Sequence, residues 1–212
     1  MKCTQICPSG ALELVGKDMT VSEVMDEVIR DMLFYEISGG GVTFSGGEPT
    51  AQVLFLEALL KKAKDLDLNT CIETNGYAGN EVWKKLIPYL DHVLFDIKHM
   101  DSVIHENMVG AATDVIAKSL QELARQVDVI LRTPLIPEFN DSEDFVGHLG
   151  QFAASIPKIK ECHLLLYHEY GSSKYTMLGK KANFYNRQTF SDDKLKRYKE
   201  ILENQGLTVK VH

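Results

Sequence analysis

The sequence predicts an α/β fold, a parallel (β/α) barrel or a large part of one. Three observations carry that expectation. Short apolar runs of strand length recur along the chain, and most are followed by a segment with helical periodicity. The runs read as continuously apolar rather than strictly alternating, the pattern of a covered parallel sheet. Each run also ends in polar or charged residues, and parallel (β/α) folds bind ligands at the C-terminal ends of their strands.

The elements follow in order. Thr20-Val-Ser-Glu23 forms a capping box, and Val21, Val24, Met25, Val28, Ile29, Met32 and Leu33 then recur at helical spacing. Residues 42–44 read as a short strand inside the stretch GGGVTFSGGEPT, residues 39–50. A helix over 52–66 places Leu56, Leu59, Leu60 and Ala63 on one face. A strand over 69–74 runs into Asn75-Gly76, and a helix carrying Val82, Trp83 and Leu86 follows. The spacing then gives a strand over 92–97, a helix over 112–125 and a strand over 127–132. A helix over 142–154 and a strand over 162–167 continue the series. The last helix, 192–204, is capped by Gly206 and leads into a strand over 207–211.

Bulk properties narrow the function classes. With 212 residues the chain is most economically one domain with a substantial core. A net charge of −7 argues against a nucleic-acid-binding face. No apolar run reaches the length of a membrane span, and the N-terminus carries no secretion pattern, so the expected location is the cytoplasm. Four scattered cysteines do not make a disulfide framework and fit a reducing compartment.

The strand ends to compare are Ser45-Gly46-Gly47-Glu48, Glu73-Thr74-Asn75-Gly76, Asp96-Ile97-Lys98, Arg132-Thr133-Pro134 and Tyr167-His168-Glu169. Their placement predicts one shared site. Glycines gathered at a strand end indicate a close approach to the backbone or a turn with positive φ. A phosphate and a small zwitterion are both candidates, although the GK[ST] of a phosphate loop is absent. A tight strand-to-helix turn opened by Pro49 explains the same residues without a ligand. Cys71 and Cys162 read as buried apolar cysteines.

Five segments in order resemble the radical S-adenosylmethionine activating enzymes of glycyl radical enzymes, the family that includes pyruvate formate-lyase activase. They are GGGVTFSGGEP (39–49), ETNG (73–76), LFDIKHMD (94–101), LRTPLIPEFND (131–141) and LLLYHEYGSSKYTMLG (164–179). The resemblance covers about Ala11 to His212 and implies a partial (β/α) TIM-like barrel of the radical SAM type. It implies S-adenosylmethionine as cofactor and a [4Fe–4S] cluster that reduces its sulfonium. The partner is a glycyl radical enzyme that gives up a hydrogen atom from a glycine, and a flavodoxin or ferredoxin supplies the electron. By the same resemblance Ser45, Gly46, Gly47 and Glu48 receive the cofactor's methionyl amine, and Lys98 meets its carboxylate. Asp96 lies near the ribose, and His168 near the adenine and ribose. Arg132 serves cofactor or substrate. Glu73 and Thr74 match positions that help hold a monovalent cation beside the cofactor. Thr113 and Ser119 stand where the family leads one to expect asparagine, and Glu138 where Gly is common; Asn140-Asp141 reads as a helix cap.

The family's C-x3-C-x2-C cluster motif does not occur in this sequence. Cys3-x3-Cys7-Pro8 instead resembles the end of the C-x2-C-x2-C-x3-C-P run in ferredoxin-like inserts of some activases. The expectation is that residues 1–16 are a remnant of such an insert, with Cys3 and Cys7 as former cluster ligands, and that 17–212 form the barrel without its first strand. The chain alone is then expected to be inactive, to lack the cluster, and to self-associate through the sheet edge beside 42–44. The rival readings are a non-catalytic module that binds the cofactor or a partner, and a non-radical (β/α)-barrel lyase or epimerase using Lys98 or Glu73 as acid or base.

Overall fold

The computed structural model describes residues 2–181 and 190–212. Six parallel strands form one sheet: β1 (Gly41–Phe44), β2 (Asn69–Thr74), β3 (His92–Asp96), β4 (Asp128–Leu135), β5 (Ile159–Leu166) and β6 (Thr208–Val211). They lie side by side in chain order. Each crossover therefore moves one place in the same direction, which curls the sheet as in a barrel. Among the described residues β1 has no strand on its outer side.

Burial alternates along each central strand. Thr70, Ile72 and Thr74 of β2, Val93 and Phe95 of β3, and Val129, Leu131, Thr133 and Leu135 of β4 are buried. The intervening residues are partly or fully exposed. One face thus packs under helices, and the other stays open to water. The covering helices include α4 (Val53–Asp65), α5 (Asn80–Leu86), α7 (Thr113–Leu123), α8 (Glu143–Ala154) and α10 (Asp192–Glu203), whose inner residues join the core with Trp83, Leu120, Leu149 and Leu202. Ser119 accepts the indole N–H of fully buried Trp83 at 2.7 Å and donates to the Ala78 carbonyl, tying α7 to α5. No helix among the described residues is long and apolar enough to cross a membrane.

Several boundaries differ from expectation for local reasons. The first long helix breaks at Arg30-Asp31 into α2 (Val21–Ile29) and α3 (Met32–Ser38), because Asp31 sits at φ −99°, ψ 10°. Thr20 and Glu23 do form the reciprocal capping box. Pro49–Gln52 is a separate 3-10 turn ahead of α4. Strands β4 and β5 run longer than their apolar cores suggested. Helices α1 (Lys2–Gln5), α6 (Ser102–Val109) and α9 (Ser172–Met177) complete the set. Glu138 has φ +63°, a conformation that favours glycine, so a side chain there carries strain.

Candidate functional site

The open face collects charged side chains in one row because parallel register aligns them. Asp96 pairs with Arg132, Arg132 with His163, and His163 with Lys210. The tip of β2 reaches into the same row. Arg132 Nη1 lies 2.6 Å from Glu73 Oε1, and Ser45 Oγ donates to Glu73 Oε2 at 2.9 Å. Lys98 Nζ is 3.4 Å from Asp96 Oδ2. Three strand tips are therefore bonded through side chains, Ser45 from β1, Glu73 from β2 and Arg132 from β4, and the Asp96–Lys98 pair of β3 lies beside Arg132 in register.

Asp96 is the least satisfied member. Burial raises its carboxyl pKa above the ordinary value, while the charges of Lys98 and Arg132 pull it back and that of Glu73 adds to the rise. Its Oδ1 is buried and has no hydrogen-bond partner among the described residues. A buried carboxylate oxygen without a donor is costly, so this atom points to a donor brought by a ligand.

Glu48 does different work. Its Oε1 accepts from the Thr50 amide (3.1 Å), the Thr50 hydroxyl (2.7 Å) and the Thr74 hydroxyl (2.8 Å), and its Oε2 from the Asn75 amide (2.8 Å). The Thr74 hydroxyl in turn accepts from the Gly76 amide. Glu48 and Thr74 thus brace the tip of β1 against that of β2, and the glycine loop is left to present its backbone. Gly46 adopts φ +129° there. At Gly76 an added Cβ would come within 2.2 Å of the Phe95 ring, so no side chain fits between the β2 tip and β3. A cavity of about 250 Å³ runs from Ser45 to Pro49 and down to Phe55 and Leu59 of α4.

The remaining candidates separate. His168 lies beyond β5, exposed, stacked on Tyr170 at 4.2 Å between ring centres. Cys3 is exposed and Cys7 partly so. Cys162 is buried as expected, and burial pushes its thiol up to about 12. Cys71 departs from the apolar-core reading: it is partly exposed on the open face, where its register partner is Thr43. The helix-cap reading of Asn140-Asp141 is also corrected. Ser142 caps α8 by accepting from the Phe145 amide. Asn140 is buried, donates to the carbonyls of Lys98 and Pro134 at 2.7 Å each, and accepts from the Ile136 amide. It therefore fixes the backbone beneath Lys98.

Sequence reasoning misassigned Asn140 and missed His163. His163 Nε2 lies 2.6 Å from Glu161 Oε1, and Lys210 Nζ lies 2.5 Å from the same oxygen. Residues 161 and 163 share a strand face by simple alternation, which was a readable signal.

Residues 6–149 match the family described as the Radical SAM superfamily. The chain belongs to that family. It is 39% identical over 183 residues to an isethionate sulfite-lyase activating enzyme of Desulfovibrio desulfuricans, covering 85% of this chain and 58% of that protein. It is 34% identical to a 4-hydroxyphenylacetate decarboxylase activating enzyme of Clostridioides difficile, covering 97% of this chain and 66% of the relative. Among solved structures, a domain of pyruvate-formate lyase-activating enzyme from Bacteroides vulgatus superposes with a TM-score of 0.69 at 27% identity, covering 82% of this chain and 99% of that one. This radical SAM chain spans roughly three fifths of the length of the curated relatives it matches.

The family implies S-adenosylmethionine and a [4Fe–4S] cluster. The polar row fits the first: it offers an unpartnered carboxylate oxygen, a lysine, and glycine backbone at adjacent strand tips. The cysteines present do not fit the second. Among the described residues no three of His, Cys, Asp or Glu gather where they could hold a metal.

Proposed function

We propose that this chain is the cofactor-binding barrel of an activating enzyme for a glycyl radical enzyme, with S-adenosylmethionine lying along the open face. The observation that carries the reading is Asp96 Oδ1, a buried acceptor awaiting a donor such as a ribose hydroxyl. Ser45, Gly46 and Gly47 present backbone carbonyls to the methionyl ammonium, while Glu48 and Thr74 keep that loop in place. Lys98 meets the methionyl carboxylate, its backbone held by Asn140. Arg132 aligns Glu73, which borders the cofactor together with any monovalent cation, and His168 closes the adenine end. Where a reduced cluster stood beside it, S-adenosylmethionine would supply one-electron cleavage of a sulfonium carbon–sulfur bond. The protein residues fix one pose and leave the mouth open to a peptide segment.

The sequence carries no C-x3-C-x2-C, so we infer that this chain by itself binds the cofactor without cleaving it. Residues 1–16 represent the end of a ferredoxin-like insert, and their described part, 2–16, lies outside the sheet and is largely without regular structure. In the working system a cytoplasmic flavodoxin or ferredoxin is the electron source. The uncovered edge of β1 gives the isolated chain a route to self-association, which sedimentation velocity tests.

Equilibrium dialysis with radiolabelled S-adenosylmethionine tests the central claim. Saturable binding is expected, weakened about tenfold or more by Asp96→Ala and by Lys98→Ala, since each removes a charge-assisted contact. No saturable binding, or binding by both variants as tight as that of the unaltered chain, would overturn the reading. Reductive cleavage of the cofactor by the iron- and sulfide-treated chain would overturn the inference about the cluster.

A further inference from the structure

The chain carries 30 acidic side chains, yet none falls between Glu169 and Asp192. That stretch of 22 residues is the longest without an acid in the sequence, and it holds Lys174, Lys180, Lys181 and Arg187. It begins at Tyr170, shortly after the end of β5 and two residues after His168, and its described part includes α9. Large apolar side chains stand in solvent there: Tyr170 is 82% exposed, Met177 80% and Leu178 70%. Lys174, Lys180 and Lys181 are exposed beside them.

Exposed apolar side chains gathered on one surface and rimmed by polar residues mark a contact site. Here it coincides with local positive charge on a molecule of net charge −7. The two properties together select a ligand that is acidic and carries apolar side chains, which describes a protein segment better than a polyanion. The position selects as well, because a segment seated on α9 lies at the rim of the open face beside His168.

We propose that Tyr170–Lys181 is a docking surface for an acidic, apolar-edged segment of the protein partner; this rests on the activating-enzyme reading for the identity of that partner. Tyr170, Met177 and Leu178 bury against the segment's apolar side chains. Lys174, Lys180 and Lys181 pair with its carboxylates and speed the encounter. The docked segment places the rest of the partner over the polar row.

Fluorescence anisotropy with a labelled peptide in which Asp and Glu alternate with Leu and Phe tests this, against the same peptide with Lys for every acid. The acidic peptide is expected to bind and the basic one not to. The triple variant Lys174→Glu, Lys180→Glu, Lys181→Glu is expected to lose about tenfold in affinity at low salt and less at high salt, as screened surface charges require. Met177→Ser with Leu178→Ser is expected to weaken binding at every salt concentration. Lys196→Glu with Lys199→Glu, on α10, leaves it unchanged. Equal binding of both peptides, indifference to the triple reversal, or binding of phosphatidylserine vesicles in place of the peptide would overturn the proposal. Dialysis with S-adenosylmethionine on the same samples keeps the two readings apart. Loss of cofactor binding in the unaltered chain sinks the functional reading and leaves the peptide result to stand or fall alone.

Discussion

Replacing Glu48 with Ala separates two roles that its place in the glycine loop confounds. The carboxylate accepts two backbone amides and two hydroxyls, and Thr50 and Thr74 are both buried. Each such bond contributes on the order of 1 kcal/mol net, and truncation leaves buried donors unpaired, so the four together amount to about 3 to 4 kcal/mol. Partial exposure of Glu48 itself sets the expectation at the lower end, about 3 kcal/mol. Urea denaturation followed by circular dichroism reads this directly, as a lower midpoint with an unchanged slope. Glu48→Gln keeps one carbonyl oxygen and should lose roughly half as much. A double-mutant cycle with Thr74→Val should show a coupling of about 1 kcal/mol, since the two side chains share a hydrogen bond. Unchanged stability in Glu48→Ala, combined with lost binding of S-adenosylmethionine, would refute the brace and make the carboxylate a direct ligand.

Three further outcomes are expected. Asn140→Ala, which removes three buried hydrogen bonds between β3, β4 and the following turn, should cost about 3 kcal/mol in the same urea assay and should weaken cofactor binding through displaced Lys98. Asp96 binds its proton more tightly folded than unfolded, chiefly through burial. Its stabilising contribution is therefore full below the unfolded value of 3.8 and is lost as pH rises through the folded pKa. Asp96→Asn should abolish that decline, making the variant the more stable protein at neutral pH while binding cofactor less well, as thermal melts at several pH values would reveal. Glu138→Gly relieves a left-handed side chain at φ +63° and should raise stability by about 0.5 kcal/mol, the relief outweighing the added freedom of the unfolded chain. A lower melting temperature in that variant would argue that the Glu138 side chain makes a contact of its own.

What the sequence disclosed depended on how local each signal was. The capping box at Thr20 and Glu23 is complete within four residues, and it was readable. Strands β2 to β5 were readable because each places several apolar residues ahead of a polar tip. Helices α6 and α9 were not, being short and weakly patterned. Asn140 could not be assigned because one carbonyl it holds belongs to Lys98, 42 residues earlier. The same limit applied to Glu48: its position in the motif was evident, but its partners Thr74 and Asn75 meet it only when β1 and β2 pair. Cys71 was misplaced because the strand core looks apolar in sequence, while the open face of this sheet is wet.

The row of polar tips has a geometric consequence. Each strand contributes its own side chain, and neighbouring strands are spaced by the fixed pitch of the backbone ladder, about 4.8 Å. The backbones of β1 and β4 therefore stand three such steps apart, or about 14 Å, yet Ser45 and Arg132 close on the two oxygens of the same Glu73 carboxylate, at 2.9 and 2.6 Å. One side chain from β2 thus gathers groups from strands that do not pair with each other. Losing that single carboxylate would release the tips of two strands at once.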